Sequence, residues 1–224
     1  MNNEIKLILE GVRKGDQIGG PYELSKILAN SLQANNGFNK DDLTKRYLEW
    51  WKEDAFDTGP TYASVFTNIL KGYDHEKAVL KTHQDFDENT AGCGPAHRCM
   101  PLAGFIKIPT NELIDLARQE AKITHYHEDA GNGSAIVVLL CRHLLEGKNI
   151  ENACLEVSKN KELHQSWKQV EKAKLSPDGY VYNVIHSALY FIKNKSTLEE
   201  SIKFSGKANY SSIIFSVLNE LILT

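Results

Sequence analysis

Three Gly-Pro steps, Gly20-Pro21, Gly59-Pro60 and Gly94-Pro95, stand in loops, and the first two open directly into a predicted helix. Proline suits the first helical position, where its missing N–H would have had no partner. Glycine lets backbone or ligand approach closely. Such a helix start offers free amides and the positive end of the dipole, a setting for anions such as phosphate. A fourth loop, Ser205-Gly206-Lys207-Ala208-Asn209-Tyr210, leads into the last predicted helix in the same manner. Acids precede two of these bends: Asp16 stands four residues before Gly20, and Asp57 three before Pro60. Neither sits in the apolar periodicity of a core position. A carboxylate there could hold a water, a sugar hydroxyl or a cation, or it could cap a helix or form the turn.

The other reactive side chains are weaker signals. His97 and Arg98 directly follow Gly94-Pro95. His125 and His127 end a predicted helix beside Glu128 and Asp129; the pair could ligate a metal, but no third ligand has a telling spacing, and histidine near a helix C-terminus is an ordinary dipole partner. Ser64, Ser134 and the four cysteines lack a nucleophile context. Tyr47, Trp50 and Trp51 read as core, whereas Tyr210, on its glycine loop, is placed to stack on a ring.

Helical spacing supplies the frame that must position these residues. Ile5, Ile8, Leu9 and Val12 line one face before Gly15, and Leu24, Ile27, Leu28 and Leu32 another before Asn35-Asn36-Gly37. Asn39 can cap the next helix, with Asp41 and Asp42 in its first turn. Val65 to Leu70 precede a stop at Gly72, Ala96 to Phe105 reads as a short helix, and Leu113 to Ala121 follow Pro109. Ala135 to Leu145 is apolar nearly all round, which favours a helix through the middle of the molecule over a strand. Val181 to Ile192 and Ile213 to Ile222 form clean stripes, and Ser196 with Glu199 has capping-box spacing between them. Lys159 to Lys174 is polar and charged, an exposed helix or an excursion. The reading is all-α, with eight to ten helices in one domain spanning residues 1–224, and no strand pair.

Composition agrees. The chain has 224 residues, 42% hydrophobic and 25% charged, which excludes wholesale disorder. Lys plus Arg number 26 against 29 Asp plus Glu, a net charge of −3, so no broad cationic field points to duplex nucleic acid as a partner. The longest apolar run, Ala135 to Cys141, is too short to cross a bilayer, so no membrane partner is expected. No signal-peptide pattern opens the sequence, and the expected location is the cytoplasm. Cys93, Cys99, Cys141 and Cys154 form no C-x-x-C motif and are expected as buried small apolar groups. Nothing in the sequence specifies an oligomeric state.

Taken in order, these segments resemble a known family. Gly15-Asp16-Gln17-Ile18-Gly19-Gly20-Pro21 resembles the G-D-x-x-G-x-P opening of the ADP-ribosylglycohydrolases, which include the dinitrogenase-reductase-activating glycohydrolases. Asp57-Thr58-Gly59-Pro60-Thr61 resembles their D-x-G-x-T segment, and Gly92 to Leu102 their G-N-G-x-x-M-R-x-x-P-L segment. Thr124-His125 with Ala130 is similar to their T-H-x-x-x-x-A segment, and Phe204 to Tyr210 lies where they carry a late G-G-D-x-D-T motif.

The resemblance implies an all-helical fold and hydrolysis of a glycosidic bond to ADP-ribose or a related ribosyl phosphate, with ADP-ribose or an ADP-ribosylated protein or small molecule as partner. It implies catalytic roles for Asp16, Asp57 and Glu23. It also implies substrate binding by Gly20, Gly92, Gly94, His97, Arg98, His125, Lys207, Asn209 and Tyr210. Relatives hold a pair of Mg²⁺ or Mn²⁺ ions with a T-D-D-T motif and the late motif. Here no Thr-Asp-Asp-Thr exists, and Ser205 to Tyr210 carries neither late aspartate. Asp16 and Asp57 are the ligands left for an ion, so the activity is either metal-poor or metal-free. The alternative implied by the same departures is a catalytically inactive nucleotide-binding or structural protein, a crystallin-like use of the scaffold.

Overall fold

The computed structural model describes residues 1–206 and 210–224; Lys207 and Asn209 lie outside the described residues. The chain opens with α1 (Asn3–Gly15), whose end Asn2 caps by accepting from the Ile5 amide at 3.0 Å, and which buries Ile5, Ile8, Leu9 and Val12. Then follow α2 (Gly20–Ala34), α3 (Lys40–Asp54), α4 (Pro60–Leu70), α5 (His75–Asp85), α6 (Gly94–Arg98) and α7 (Pro101–Gly104). After a short 3-10 turn (Thr110–Glu112) come α8 (Leu113–Ala121), α9 (Glu128–Leu145), α10 (Ile150–Lys159) and α11 (His164–Lys172). The last three are α12 (Val181–Lys193), α13 (Leu198–Ser205) and α14 (Ser212–Ile222).

The middle helix is α9. Every residue from Gly133 to Leu144 is buried, because α6, α7, α8, α10, α12 and α14 all pack against it. This is the environment that an apolar surface on all sides requires. The first and last helices are also neighbours, and they touch backbone to backbone. A Cβ on Gly11 would stand 2.7 Å from Val217 Cα, and one on Gly15 2.4 Å from the Ser212 carbonyl oxygen. Ser212 Oγ donates to the Gly15 carbonyl at 2.8 Å. Among the described residues the one β-type contact is an isolated bridge between Gly92 and Tyr180. No helix of the described residues is long and apolar enough to cross a membrane. All four cysteines are free, and Cys93, Cys99 and Cys141 are buried.

Three expectations need correction. The described residues form fourteen α-helices, more than the eight to ten read from periodicity. Ala96 to Phe105 is two short helices, α6 and α7, because Pro101 has no N–H to bond back to His97. The His97 carbonyl instead meets Ser25 Oγ at 3.5 Å. The capping box lies one residue later than read: Thr197 Oγ1 accepts from the Glu200 amide at 3.2 Å, and Glu200 Oε2 from the Thr197 amide at 2.7 Å. Ser196 is already used, since its amide closes the end of α12 on the Phe191 carbonyl at 3.0 Å, with Lys195 at φ +52°.

Candidate active site

A cavity of about 520 Å³ opens where several of the bends meet. One wall is the start of α4, Asp57 to Tyr62; another is the loop from Asn89 into α6; His125, Tyr180 and Tyr210 complete it. Two backbone bonds join separate parts of this wall, from the Cys93 amide to the Gly179 carbonyl at 2.9 Å and from the Val181 amide to the Ala91 carbonyl at 3.1 Å. Asp129, in the first turn of α9, holds the adjoining tyrosines by accepting from Tyr180 OH at 2.9 Å and Tyr182 OH at 3.1 Å. Of the residues read from sequence, Asp57, Gly92, Gly94, His97, Arg98, His125 and Tyr210 line this space.

The acids separate sharply. Asp57 sits at φ +50°, followed by Gly59 at φ +74°, a backbone that turns the chain abruptly into α4. Its Oδ2 is shielded from solvent and has no hydrogen-bond partner. Burial raises the Asp57 pKa and nearby Asp16 adds to the rise, while the Gly20 amide opposes it. Gly20 makes that approach possible, because a Cβ there would lie 2.5 Å from the Asp57 carbonyl oxygen.

Asp16 does not line the cavity. Its Oδ1 accepts from the amides of Ile18 and Gly19 at 3.1 and 2.8 Å, and its Oδ2 from Tyr22 at 2.9 Å. The amides at the start of α2, read as donors for an anion, are thus already engaged by the protein's own carboxylate. Glu23 lies apart from the cavity, pairing with Lys26 at 2.7 Å.

Arg98 is turned into the protein. Only 1% exposed, it donates from Nε to Glu120 Oε1 at 2.6 Å and from Nη2 to Thr124 Oγ1 at 2.9 Å. Tyr47 OH donates to the same Glu120 oxygen at 2.9 Å, and the guanidinium lies 5.2 Å from the Tyr47 ring centroid. Burial works against its charge, but Glu120, Tyr47 and Tyr62, whose ring centroid is 5.8 Å from the guanidinium, more than offset this and raise its pKa. Arg98 thus lines the cavity with two of its three nitrogens already serving buried partners. His97 donates from Nε2 to the Tyr210 carbonyl at 2.7 Å, and burial lowers its pKa to about 4, so it is a neutral tether for the Tyr210 segment. His125 is 5% exposed, and burial followed by the charge of Arg98 pushes its pKa well below the usual value.

A divalent ion needs several oxygen ligands. Among the described residues no three of His, Cys, Asp or Glu are grouped to hold one. Both Asp16 oxygens serve backbone amides, which leaves Asp57 Oδ2 as the one open carboxylate oxygen of the pair. His127 Nδ1 accepts from the Asp129 amide at 3.1 Å as the cap of α9. The described residues do not fit the two-ion arrangement that the resemblance implies.

Sequence reasoning passed over Glu120 and Tyr180. Glu120 had a signal: it lies seven residues after Leu113, on the buried face with Ala117 and Ala121, and an acid in an apolar stripe demands a buried partner. Tyr180 follows an Asp178-Gly179 turn signal, but which surface that turn meets is a matter of tertiary packing.

The sequence profile of the ADP-ribosylglycohydrolase family matches residues 15–210. An ADP-ribosyl-[dinitrogen reductase] glycohydrolase from Rhodospirillum rubrum is 26% identical over 210 residues, covering 92% of this chain and 68% of the relative. A solved structure described as an ADP-ribosylglycohydrolase-related protein complex superposes with a TM-score of 0.74 at 20% identity, covering 98% of this chain and 87% of that one. The last likeness shows the fold.

Proposed function

The chain belongs to the ADP-ribosylglycohydrolase family, and from that premise we propose that it hydrolyses a glycosidic bond to an ADP-ribosyl group, or a related ribosyl phosphate, in the cavity at Asp57. The observation that carries the reading is Asp57 itself: a half-buried carboxyl lining the cavity, with one oxygen lacking any partner and with its pKa raised by burial. Cleavage breaks the bond from the anomeric carbon to the leaving nitrogen or oxygen and forms a bond to water, through an oxocarbenium-like centre. Asp57 as carboxylate accepts the proton of the attacking water and faces the developing positive charge, and the proton then passes to the departing nitrogen or oxygen, which leaves the carboxylate as it began. Gly92 and Gly94 leave the backbone open to phosphate oxygens, and Tyr180 and Tyr210 offer ring surface to a base. Lys207 and Asn209 belong to this reading by sequence position.

The test is release of ADP-ribose from ADP-ribosylated arginine, serine and small-molecule substrates, with and without Mg²⁺. Asp57→Asn is expected to slow release by at least about 100-fold. Release at the wild-type rate from that variant would remove Asp57 from the chemistry.

A second reading, a nucleotide-binding protein without turnover, is favoured by the engagement of Asp16, which leaves one acid where glycosidases ordinarily use two. A rise in Tm with ADP-ribose and no release from any substrate is its signature.

A further inference from the structure

Thr124 is fully buried, and its hydroxyl oxygen has two neighbours, Arg98 Nη2 at 2.9 Å and His125 Nδ1 at 2.8 Å. Arginine only donates, so the Thr124 oxygen accepts there. The hydroxyl then has one proton to place, and among the described residues the sole acceptor bonded to it is His125 Nδ1. In the reverse arrangement, with Nδ1–H donating to Thr124, the hydroxyl proton would be buried with nothing to receive it. Arg98 cannot turn to relieve this, since its Nε is held on Glu120 Oε1 at 2.6 Å. On the other side of the same ring, His125 Nε2 borders the cavity and has no protein partner among the described residues. It stands 3.2 Å from where a Cβ on Gly92 would sit.

We infer that the buried Glu120–Arg98–Thr124 chain fixes His125 as the neutral imidazole with its proton on Nε2, so that His125 presents a permanent hydrogen-bond donor to the cavity. Glu120, Arg98 and Thr124 are positioning residues for that donor. The low pKa of His125 agrees, because burial and then the charge of Arg98 disfavour a second proton on the ring. The donor selects a ligand oxygen that can only accept, such as a phosphate oxygen, over a group that must itself donate; that choice of ligand rests on the ADP-ribosyl reading above. Gly92 leaves the donor uncovered, since any side chain at that position would crowd Nε2.

Long-range ¹H–¹⁵N correlation spectra of the full chain, with ¹⁵N-labelled histidine at neutral pH, test the assignment without any ligand. His125→Asn identifies the resonances by their loss. In the wild type, Nδ1 is expected to show the shift of an unprotonated nitrogen and Nε2 that of a protonated one. Thr124→Val is expected to admit the other tautomer, and Thr124→Ser to keep the wild-type pattern. Titration with ADP-ribose should then show about tenfold weaker binding to Thr124→Val than to wild type. A wild-type Nδ1 that carries the proton would overturn the inference even if neither Thr124 variant folds, and so would a Thr124→Val spectrum with an unchanged tautomer. Failure of ADP-ribose to bind the wild type would remove the proposed function and leave the tautomer decided by the spectra.

Discussion

Asp16 and Asp57 make an instructive pair. Each precedes a glycine–proline helix start, and each is reached by the same local grammar of an acid, a short bend and a Gly-Pro step. Their fates differ. Asp16 turns back on its own loop and accepts three backbone amides, so its charge is spent on holding α2 in place. Asp57 is carried by a left-handed backbone into the cavity wall, where one oxygen has no donor at all. A carboxylate surrounded by amides stabilises structure, whereas one stripped of donors is destabilised as an anion and retains basicity for a reacting proton. The difference arises in the bends, not in the residue type.

The contrast can be broken at the contact that joins the two loops. Gly20→Ala would drive a Cβ to within 2.5 Å of the Asp57 carbonyl oxygen, so backbone must move on one side or the other. A loss of about 3 kcal/mol in urea denaturation is expected. A near-neutral result would mean that the loops yield independently of each other. Asp16→Ala should cost about 2 kcal/mol, because the Ile18, Gly19 and Tyr22 amides lose their acceptor. Equal stability to wild type in thermal melts would show that water serves those amides equally well.

The smallest effect sharpens the comparison by pH. The Asp57 pKa is raised in the folded state, so its contribution to stability is intact below the ordinary aspartate range and is lost as pH rises through the raised value. Asp57→Asn has no such loss. Its Tm relative to wild type should therefore climb as pH rises from below the ordinary aspartate range toward neutrality. A difference that does not vary with pH would mean that the carboxyl is as well solvated folded as unfolded.

Periodicity revealed the helices that bury aliphatic stripes, such as α1, α9, α12 and α14. It missed α5, and the reason is physical. Two of the residues α5 buries are polar: Thr82, which meets Ser64 at 2.9 Å, and His83, bonded to Thr90 at 2.7 Å. A face that is satisfied by hydrogen bonds leaves no hydrophobic trace. In the same way, the Gly-Pro steps marked the neighbourhood of the cavity, but Arg98 beside one of them reads identically whether it faces a ligand or a buried acid. Only the position of Glu120 within the α8 stripe separates those cases. Asp16 was legible as an acid at a bend; whether its oxygens meet amides or open space depends on torsions that residue types leave undetermined.

The glycine-lined seam between α1 and α14 has a consequence for assembly. The bond from Ser212 to Gly15 spans 197 residues, and no side chain at Gly11 or Gly15 holds the two backbones apart. While the chain is being synthesised, α2 and α7 can pack on α1 early, but the strip of α1 along Gly11 and Gly15 has no cover until α14 has emerged. Closing so long a loop is entropically slow, and this ring-like closure is therefore a late event that locks the remaining helices together.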